Sequence, residues 1–310
     1  MQVNQQQIRP LTFDEFKGKE SLKKNLMIYI ESSIKRETPL DHILLHGLPG
    51  TGKTTLAHII TNYFDKKIKI IQGTQLQKIP DLINFISLIS EGDFLFIDEI
   101  HAMSSVCFET LYSILEDFTI DIMVGKDFNT KSTRVKLPRF TLIGATTSIG
   151  KIPAALEERF GISFFMDIYS AEEIKLIIKR TSEIFQCELT SDEIDYLATF
   201  CKGVPRIANR LIKRVNDYFK VVSNIELEEI LREMNIFQLG LETMDIIYLK
   251  LLFNNEEPIG LKTIITTLNL DQYTIEDKIE PFLLSNNLIR KTMRGREITS
   301  KGIEIVNDLI

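Results

Sequence analysis

The chain reads as a phosphate-loop α/β domain with a parallel sheet, followed by an all-helical domain and a winged-helix domain. Three observations carry this. Gly47-Leu48-Pro49-Gly50-Thr51-Gly52-Lys53-Thr54 fits G-x-x-x-x-G-K-[ST], between an apolar run, Ile43-Leu44-Leu45, and a helical pattern. Short apolar runs then alternate with helical stretches up to about residue 168, as a parallel sheet requires. Beyond it only helical periodicity continues, until a short hairpin pattern near the C-terminus. The expected boundaries are residues 1–168, with a hairpin insertion at 119–139, then 169–240 and 241–310.

Composition bounds the function. The 310 residues are 44% hydrophobic, ordinary for a chain that builds real cores. No apolar run approaches the roughly 18 residues of a membrane span. The polar start, Met1 to Gln7, lacks the apolar core of a signal peptide, so a cytoplasmic location is expected. A net charge of −6 argues against a chain that coats nucleic acid over its whole surface, so any such contact needs a local basic patch. Cys107, Cys187 and Cys201 show no C-x-x-C spacing and read as plain thiols.

The elements follow in order. Ile8-Arg9-Pro10 is a short extended entry and Phe13 to Gly18 a loop. Glu20 to Lys35 predicts a helix with Leu22, Leu26, Tyr29 and Ile30 at helical spacing, broken by Thr38-Pro39. After the glycine loop, Thr55 to Phe64 predicts a helix with Leu56, Ile59, Ile60 and Tyr63 on one face. Ile68 to Ile71 is a strand, residues 79–90 a helix, and Phe94 to Ile97 a buried strand ending in Asp98 and Glu99. Phe108 to Phe118 is a helix. Residues 120–140 read as a hairpin with a polar turn around 125–131, equally suited to packing or to a partner. Phe140 to Ala145 is a buried strand ending in Thr146 and Thr147, and Ile162 to Met166 is the last strand. Helices are predicted over 171–185, 191–201, 206–220 and 225–234, then over 242–253, 261–268 and 274–284. Strands around Gly295 complete a winged-helix pattern.

The chemistry concentrates at a few positions. Gly50 and Gly52 free backbone N–H groups to approach a polyphosphate, and the following helix points its positive end at the anion. Lys53 is the point charge for the β- and γ-phosphates of a nucleoside triphosphate, and the Thr54 hydroxyl a ligand for Mg²⁺. Asp98, at a strand end, is placed to hold the metal's water shell, and Glu99 to act as the base for the attacking water. Thr146 and Thr147 offer hydroxyls to the γ-phosphate or to that water. Arg206 puts a cation in the first turn of a helix, which the helix dipole disfavours and an anionic ligand explains. Residues 241–310 carry 11 Asp/Glu against 8 Lys/Arg, yet Arg290, Lys291, Arg294 and Arg296 fall within seven residues that hold no acid. That cluster suggests phosphate contact at the wing. His42, His46, His58 and His101 lack an H-E-x-x-H setting and read as packing or hydrogen-bonding groups.

In order, Ile8-Arg9-Pro10, GLPGTGKTT, FLFIDEIH, LEDF, IDIMVGK, FTLIGATT, ERFG, GVPRIANR, TIED, EPFLL and KTMRGRE resemble the RuvB family from residue 8 to about residue 300. The resemblance implies an α/β P-loop AAA+ domain, an all-α lid and a winged-helix head. It implies an ATP-hydrolysing motor for Holliday-junction branch migration, with ATP or ADP and Mg²⁺ bound, acting as a hexameric ring on double-stranded DNA. Its implied partners are RuvA, through the hairpin at 120–138, and a junction resolvase. Ile8 and Arg9 would line the adenine pocket, and Gly50, Lys53, Thr54 and Thr55 would hold phosphates and Mg²⁺. Glu116, Asp117, Phe118 and Tyr169 would contact nucleotide. Thr146 or Thr147 would be the first sensor and Arg206 the second. Arg159 matches the arginine finger that completes a neighbour's site, and Lys291 and Arg296 match wing residues that touch DNA.

Three motifs depart from the family pattern. Glu157 replaces the first Arg of Arg-x-Arg-Phe-Gly, which leaves Arg159 as the finger. Ser148 replaces the Arg after GATT. The wing reads Lys-Thr-Met-Arg-Gly-Arg, so Lys291 keeps charge without the planar fork of Arg. Two other readings share the core motifs: a clamp-loader-like ATPase without a basic wing, and a nucleotide-gated binding switch that barely hydrolyses.

Overall fold

The computed structural model describes residues 8–124 and 131–309. The N-terminal stretch before Ile8 and most of the predicted hairpin turn lie outside the described residues. The backbone partitions into two compact units, residues 1–189 with 203–212, and residues 190–202 with 213–310.

The first unit is built on five parallel strands: β1 (Ile43–Gly47), β2 (Ile68–Gln72), β3 (Phe94–Asp98), β6 (Thr141–Thr146) and β7 (Ile162–Met166), in the order β2-β3-β6-β1-β7. Their side chains alternate faces. Leu44, Leu95, Ile97 and Leu142 pack on one side with α3 (Ile79–Ile86) and α4 (Ser105–Asp117). Ile43, Leu45, Phe94, Phe96, Ile143 and Ala145 pack on the other with α1 (Glu20–Lys35) and α2 (Lys53–Tyr63). Burial on both faces is why β1, β3 and β6 read as continuous apolar runs, whereas the edge strands β2 and β7 leave Ile70 and Phe165 exposed. Two aromatic positions differ from expectation. Tyr29 is 44% and Tyr63 46% exposed, so each lies beside the stripe that helical spacing assigned it. Ser33 is buried instead, its hydroxyl satisfied by the Ile30 carbonyl, and Ala57 joins Leu56 and Ile60.

The insertion is an antiparallel pair, β4 (Thr119–Val124) and β5 (Lys131–Lys136), with Ile120 buried in the core and an Asp121–Arg134 ion pair on its surface. Only a four-residue helix, α5 (Ala154–Glu157), precedes β7, and α6 (Ala171–Phe185) opens on a Ser170–Glu173 capping box.

The second unit holds α7 (Ser191–Ala198), the later part of α8 (Pro205–Val221) and α9 (Leu227–Glu233). A two-residue pair, β8 (Ile236–Phe237) and β9 (Leu241–Glu242), leads into α10 (Thr243–Phe253) and α11 (Leu261–Leu268). A π-helical turn, Thr274–Ile279, feeds α12 (Glu280–Ser285), and the wing is β10 (Ile289–Thr292) against β11 (Gly295–Ile298). A closing helix, α13 (Ser300–Asn307), follows the wing, beyond the elements the sequence pattern predicts. Gly295 has φ +151, and a Cβ there would lie 2.3 Å from the Ile259 carbonyl oxygen. That clearance lets Arg296 and Ile259 exchange two backbone hydrogen bonds of 2.8 Å.

One buried carboxylate organises this unit. Glu280 is fully buried and accepts from Tyr248 Oη at 2.8 Å, Arg296 Nε at 2.8 Å and Lys291 Nζ at 2.6 Å. Arg296 also reaches Glu276 at 2.8 Å. Burial opposes ionisation of Glu280, but the bonds from Arg296, Lys291 and Tyr248 outweigh it and hold its carboxyl below the ordinary value of 4.5. A depressed carboxylate contributes stability above its unfolded pKa and loses it as pH falls through the folded value. Glu280→Gln leaves two cations facing a neutral amide and is expected to cost about 3 kcal/mol at neutral pH. In thermal melts of variant against parent, the gap should hold down to pH 4.5 and narrow only below it.

Candidate nucleotide site

The glycine loop links the end of β1 to the first turn of α2. Gly50 has φ +82 and Gly52 φ +102, conformations that L side chains rarely adopt. The space is also closed to a side chain. A Cβ on Gly50 would meet Arg206 Cβ at 2.9 Å and Val204 at 3.0 Å. One on Gly52 would meet the Phe16 ring at 3.1 Å, with Tyr169 Oη at 3.6 Å. Lys53 folds back over the loop and donates to the Gly47 and Leu48 carbonyls at 2.7 and 2.9 Å. Burial lowers its pKa, while Glu99 and Asp98 work in the other direction and Arg206 adds to the lowering. Lys53 thus feels the three other charged groups predicted to meet it at the phosphates. Thr54 and Thr55 occupy the first turn of α2.

The loop is tied to the segment after β7. Tyr169 Oη donates to the Thr51 carbonyl at 3.0 Å, Tyr169 N donates to the Gly203 carbonyl at 2.8 Å, and Arg206 N donates to the Gly50 carbonyl at 3.3 Å. Burial, with the nearby Glu173 charge, pushes the Tyr169 phenol up, so it remains a neutral donor. Ile8 is buried, with its carbonyl accepting from Arg180 at 2.7 Å, and Arg9 is exposed near enough to His58 to help lower that ring's pKa after burial.

The acids and hydroxyls form the facing cluster. Asp98 ends β3, with Oδ1 accepting from Glu99 N at 3.1 Å and Oδ2 from Gln72 Nε2 at 3.4 Å. Glu99 has φ 48, and its Oε2 accepts from Thr147 N at 3.2 Å and Thr147 Oγ1 at 3.0 Å. His101 Nδ1 lies 3.2 Å from the same oxygen and 2.9 Å from Thr146 Oγ1. Thr146 also accepts from Ser148 N at 2.9 Å. These residues fit a nucleoside triphosphate with Mg²⁺: a glycine cradle without room for side chains, a buried lysine, and hard oxygen donors at Thr54 and Asp98. Mg²⁺ is held by one or two carboxylates plus substrate phosphates, so no all-protein cage is needed.

Comparison with known proteins agrees with this geometry. A model described as the Holliday junction DNA helicase RuvB P-loop domain matches residues 8–166, the RuvB AAA lid domain matches 169–242, and the RuvB C-terminal winged helix domain matches 238–307. The Holliday junction branch migration complex subunit RuvB of Ureaplasma urealyticum is 52% identical over 303 residues, 97% of each chain. The chain belongs to the RuvB family. Its Mycoplasma genitalium relative is 45% identical over 295 residues, covering 95% of this chain and 96% of that one. The solved Thermotoga maritima RuvB Holliday junction branch migration motor superimposes with a TM-score of 0.82 at 35% identity, covering 97% and 98%. RuvB membership sets aside the clamp-loader-like reading.

Other residues singled out by the RuvB resemblance lie elsewhere. Arg159 is three residues before β7, where Ile162 N donates to the His42 carbonyl at the strand-entry edge of the sheet. Phe118 sits at the same edge, packed on His42 and Phe140 with ring centroids 6.0 and 5.6 Å apart. The phosphate loop leaves the opposite edge, and a five-residue strand spans about 16 Å. Glu116 and Arg159 pair with each other at 2.9 Å. Glu116, Asp117, Phe118 and Arg159 are thus grouped apart from their own chain's loop. In the wing, Lys291 and Arg296 turn inward to Glu280 and Arg290 pairs with Glu297, so only Arg294 of the four is exposed without an ion pair among the described residues. The cluster holds no acid in sequence, but the fold brings acids to it.

Sequence reasoning missed Gln72 and Tyr112, and gave His101 only a general packing or hydrogen-bonding role. His101 follows the Asp98-Glu99 pair closely enough to be suspected, and Tyr112 is one helical turn before Glu116. Gln72 reaches Asp98 only through the β2–β3 pairing. The histidines do pack: His46 stacks on Phe165 at 5.3 Å, and His42, lowered by burial to about 4 despite Asp41, accepts from Leu142 N at 3.0 Å. The three cysteines are buried and form no disulfide.

Glu99→Gln keeps the shape and an oxygen acceptor for Thr147 but cannot take a proton. Nucleotide affinity, read by titration with a fluorescent ATP analogue, should stay, while hydrolysis falls by about 10²-fold or more.

Proposed function

We propose that this chain is the ATP-driven motor subunit of a Holliday-junction branch-migration complex. ATP binds at Gly50–Thr55, with Lys53 and Arg206 opposing the phosphate charge and Ile8, Arg9 and Tyr169 around the rest of the nucleotide. Mg²⁺, held through Thr54 and Asp98, neutralises charge on the β- and γ-phosphates. Glu99, steadied by Thr147 and His101, orients and deprotonates the attacking water, with Thr146 and Thr147 as sensing hydroxyls. Residues 1–168, 169–240 and 241–310 act as ATPase, lid and DNA-binding head. The pair at 120–138 docks the RuvA-type partner, and the active form is a hexameric ring in the cytoplasm. Among the described residues, no helix is long and apolar enough to cross a membrane.

The observation that carries the ring reading is the separation of the two halves of the site. Lys53 and Glu99 lie at the strand-exit edge, whereas Arg159 lies at the strand-entry edge with Glu116. A finger so placed serves a neighbouring subunit. Such fingers are worth roughly 10³–10⁵ in rate in related phosphoryl-transfer enzymes. Arg159→Ala subunits keep a pocket without a finger, and Lys53→Ala subunits keep a finger without a pocket. Each alone should neither hydrolyse ATP nor move a synthetic four-way junction. A mixture of the two should recover hydrolysis at mixed interfaces. No recovery, with assembly verified, would overturn the trans reading.

At the wing, the exposed Arg294 is the cation that meets DNA phosphate. Each phosphate neutralised on B-form DNA contributes about 0.9 to the slope of log affinity against log salt. Arg294→Ala should therefore flatten that slope by about 0.9, equally for unrelated duplex sequences. A sequence-selective loss would mean base readout instead.

A further inference from the structure

A finger that acts on a neighbour's phosphate must itself be held, because a displacement of about 1 Å in a reacting constellation can cost 100-fold. The Arg159 guanidinium is held on two sides by α4. Its Cζ lies over the Tyr112 ring, 4.6 Å from the centroid. Nη2 donates to Tyr112 Oη at 2.8 Å and pairs with Glu116 Oε1 at 2.9 Å. Tyr112 and Glu116 are one turn apart and so share a face of the helix. Nε is buried with no hydrogen-bond partner, a desolvated donor that only a firmly packed side chain keeps there. Every polar contact of the guanidinium falls on Nη2, and Nη1 makes none among the described residues. The stacked face fixes the plane, the Nη2 bonds fix the rotation within it, and one N–H₂ corner stays available.

We propose that Tyr112, supported by Glu116, is the positioning residue for the Arg159 finger: it presents Nη1 to the γ-phosphate bound by the neighbouring subunit and takes no part in its own subunit's nucleotide site. The proposal rests on the reading of Arg159 as a finger in trans. The ring supplies both the cation–π face and the hydroxyl acceptor, which phenylalanine or a second carboxylate would supply only in part. Glu116 supplies charge balance in the absence of the neighbour's phosphates, and its monodentate pairing leaves the finger free to engage them.

The test uses the two-subunit mixture in which only Lys53→Ala subunits donate fingers and only Arg159→Ala subunits offer pockets. Adding Tyr112→Ala to the finger donor should lower the recovered kcat by about 10- to 100-fold with KM for ATP unchanged. Adding it to the pocket donor, which has no finger to position, should leave the recovered rate as it was. Tyr112→Phe in the finger donor keeps the stacking face and should give a smaller loss with the same one-sided pattern. A loss of equal size on both sides would overturn the proposal, because it would mean a general structural role. No loss on either side would overturn it as well. Failure of the unmodified mixture to recover any hydrolysis would defeat the trans reading itself, and the positioning role with it.

Discussion

The parallel register of β3, β6 and β1 is the constraint on which the rest depends. Ile97 pairs with Gly144 and His46 with Thr146, so the three strands end together. Gly47, Asp98 and Thr146 are far apart in sequence but emerge at one edge, and the loop lysine, the two acids and the two hydroxyls fall within reach of each other. The same parallelism sends every strand's entry to the opposite edge. Residues placed just before a strand, such as Arg159 before β7, cannot fold back to their own loop. The pocket residues and Arg159 therefore lie at opposite ends of the strands.

The glycine loop is tied into its surroundings by close approach. A Cβ on Gly47 would lie 2.3 Å from the Met166 carbonyl oxygen, and Gly50 and Gly52 have side chains pressed against them. The Tyr169 hydroxyl and the Arg206 backbone N–H then donate to loop carbonyls. At the same loop, the Lys53 ammonium rests on the Gly47 and Leu48 carbonyls. In the wing, Glu280 turns two of four cations into structure and a third is occupied by Glu297.

The local chemistry of the chain was sufficient for the P-loop, the strand-end carboxylates, the alternation of strands and helices and the winged-helix pattern. Each rests on neighbours in sequence: backbone freedom at glycine, the period of apolar residues, a cation at a helix start. Membership in the RuvB family was likewise readable from Ile8-Arg9-Pro10 through KTMRGRE. Only the tertiary structure decided which way the charged side chains face. Arg296 and Lys291 look like free wing cations until Glu280, brought in by the π-helical turn at Thr274–Ile279, claims them. Tyr29 and Tyr63 fit an apolar stripe until the packed neighbours show where it ends. Glu116 has no visible partner in the sequence until α4 brings it to Arg159 at the strand-entry end of the sheet. Helical and strand periods are set by bonds within a few residues, whereas the partner of a charge is set by chain segments that meet only after folding.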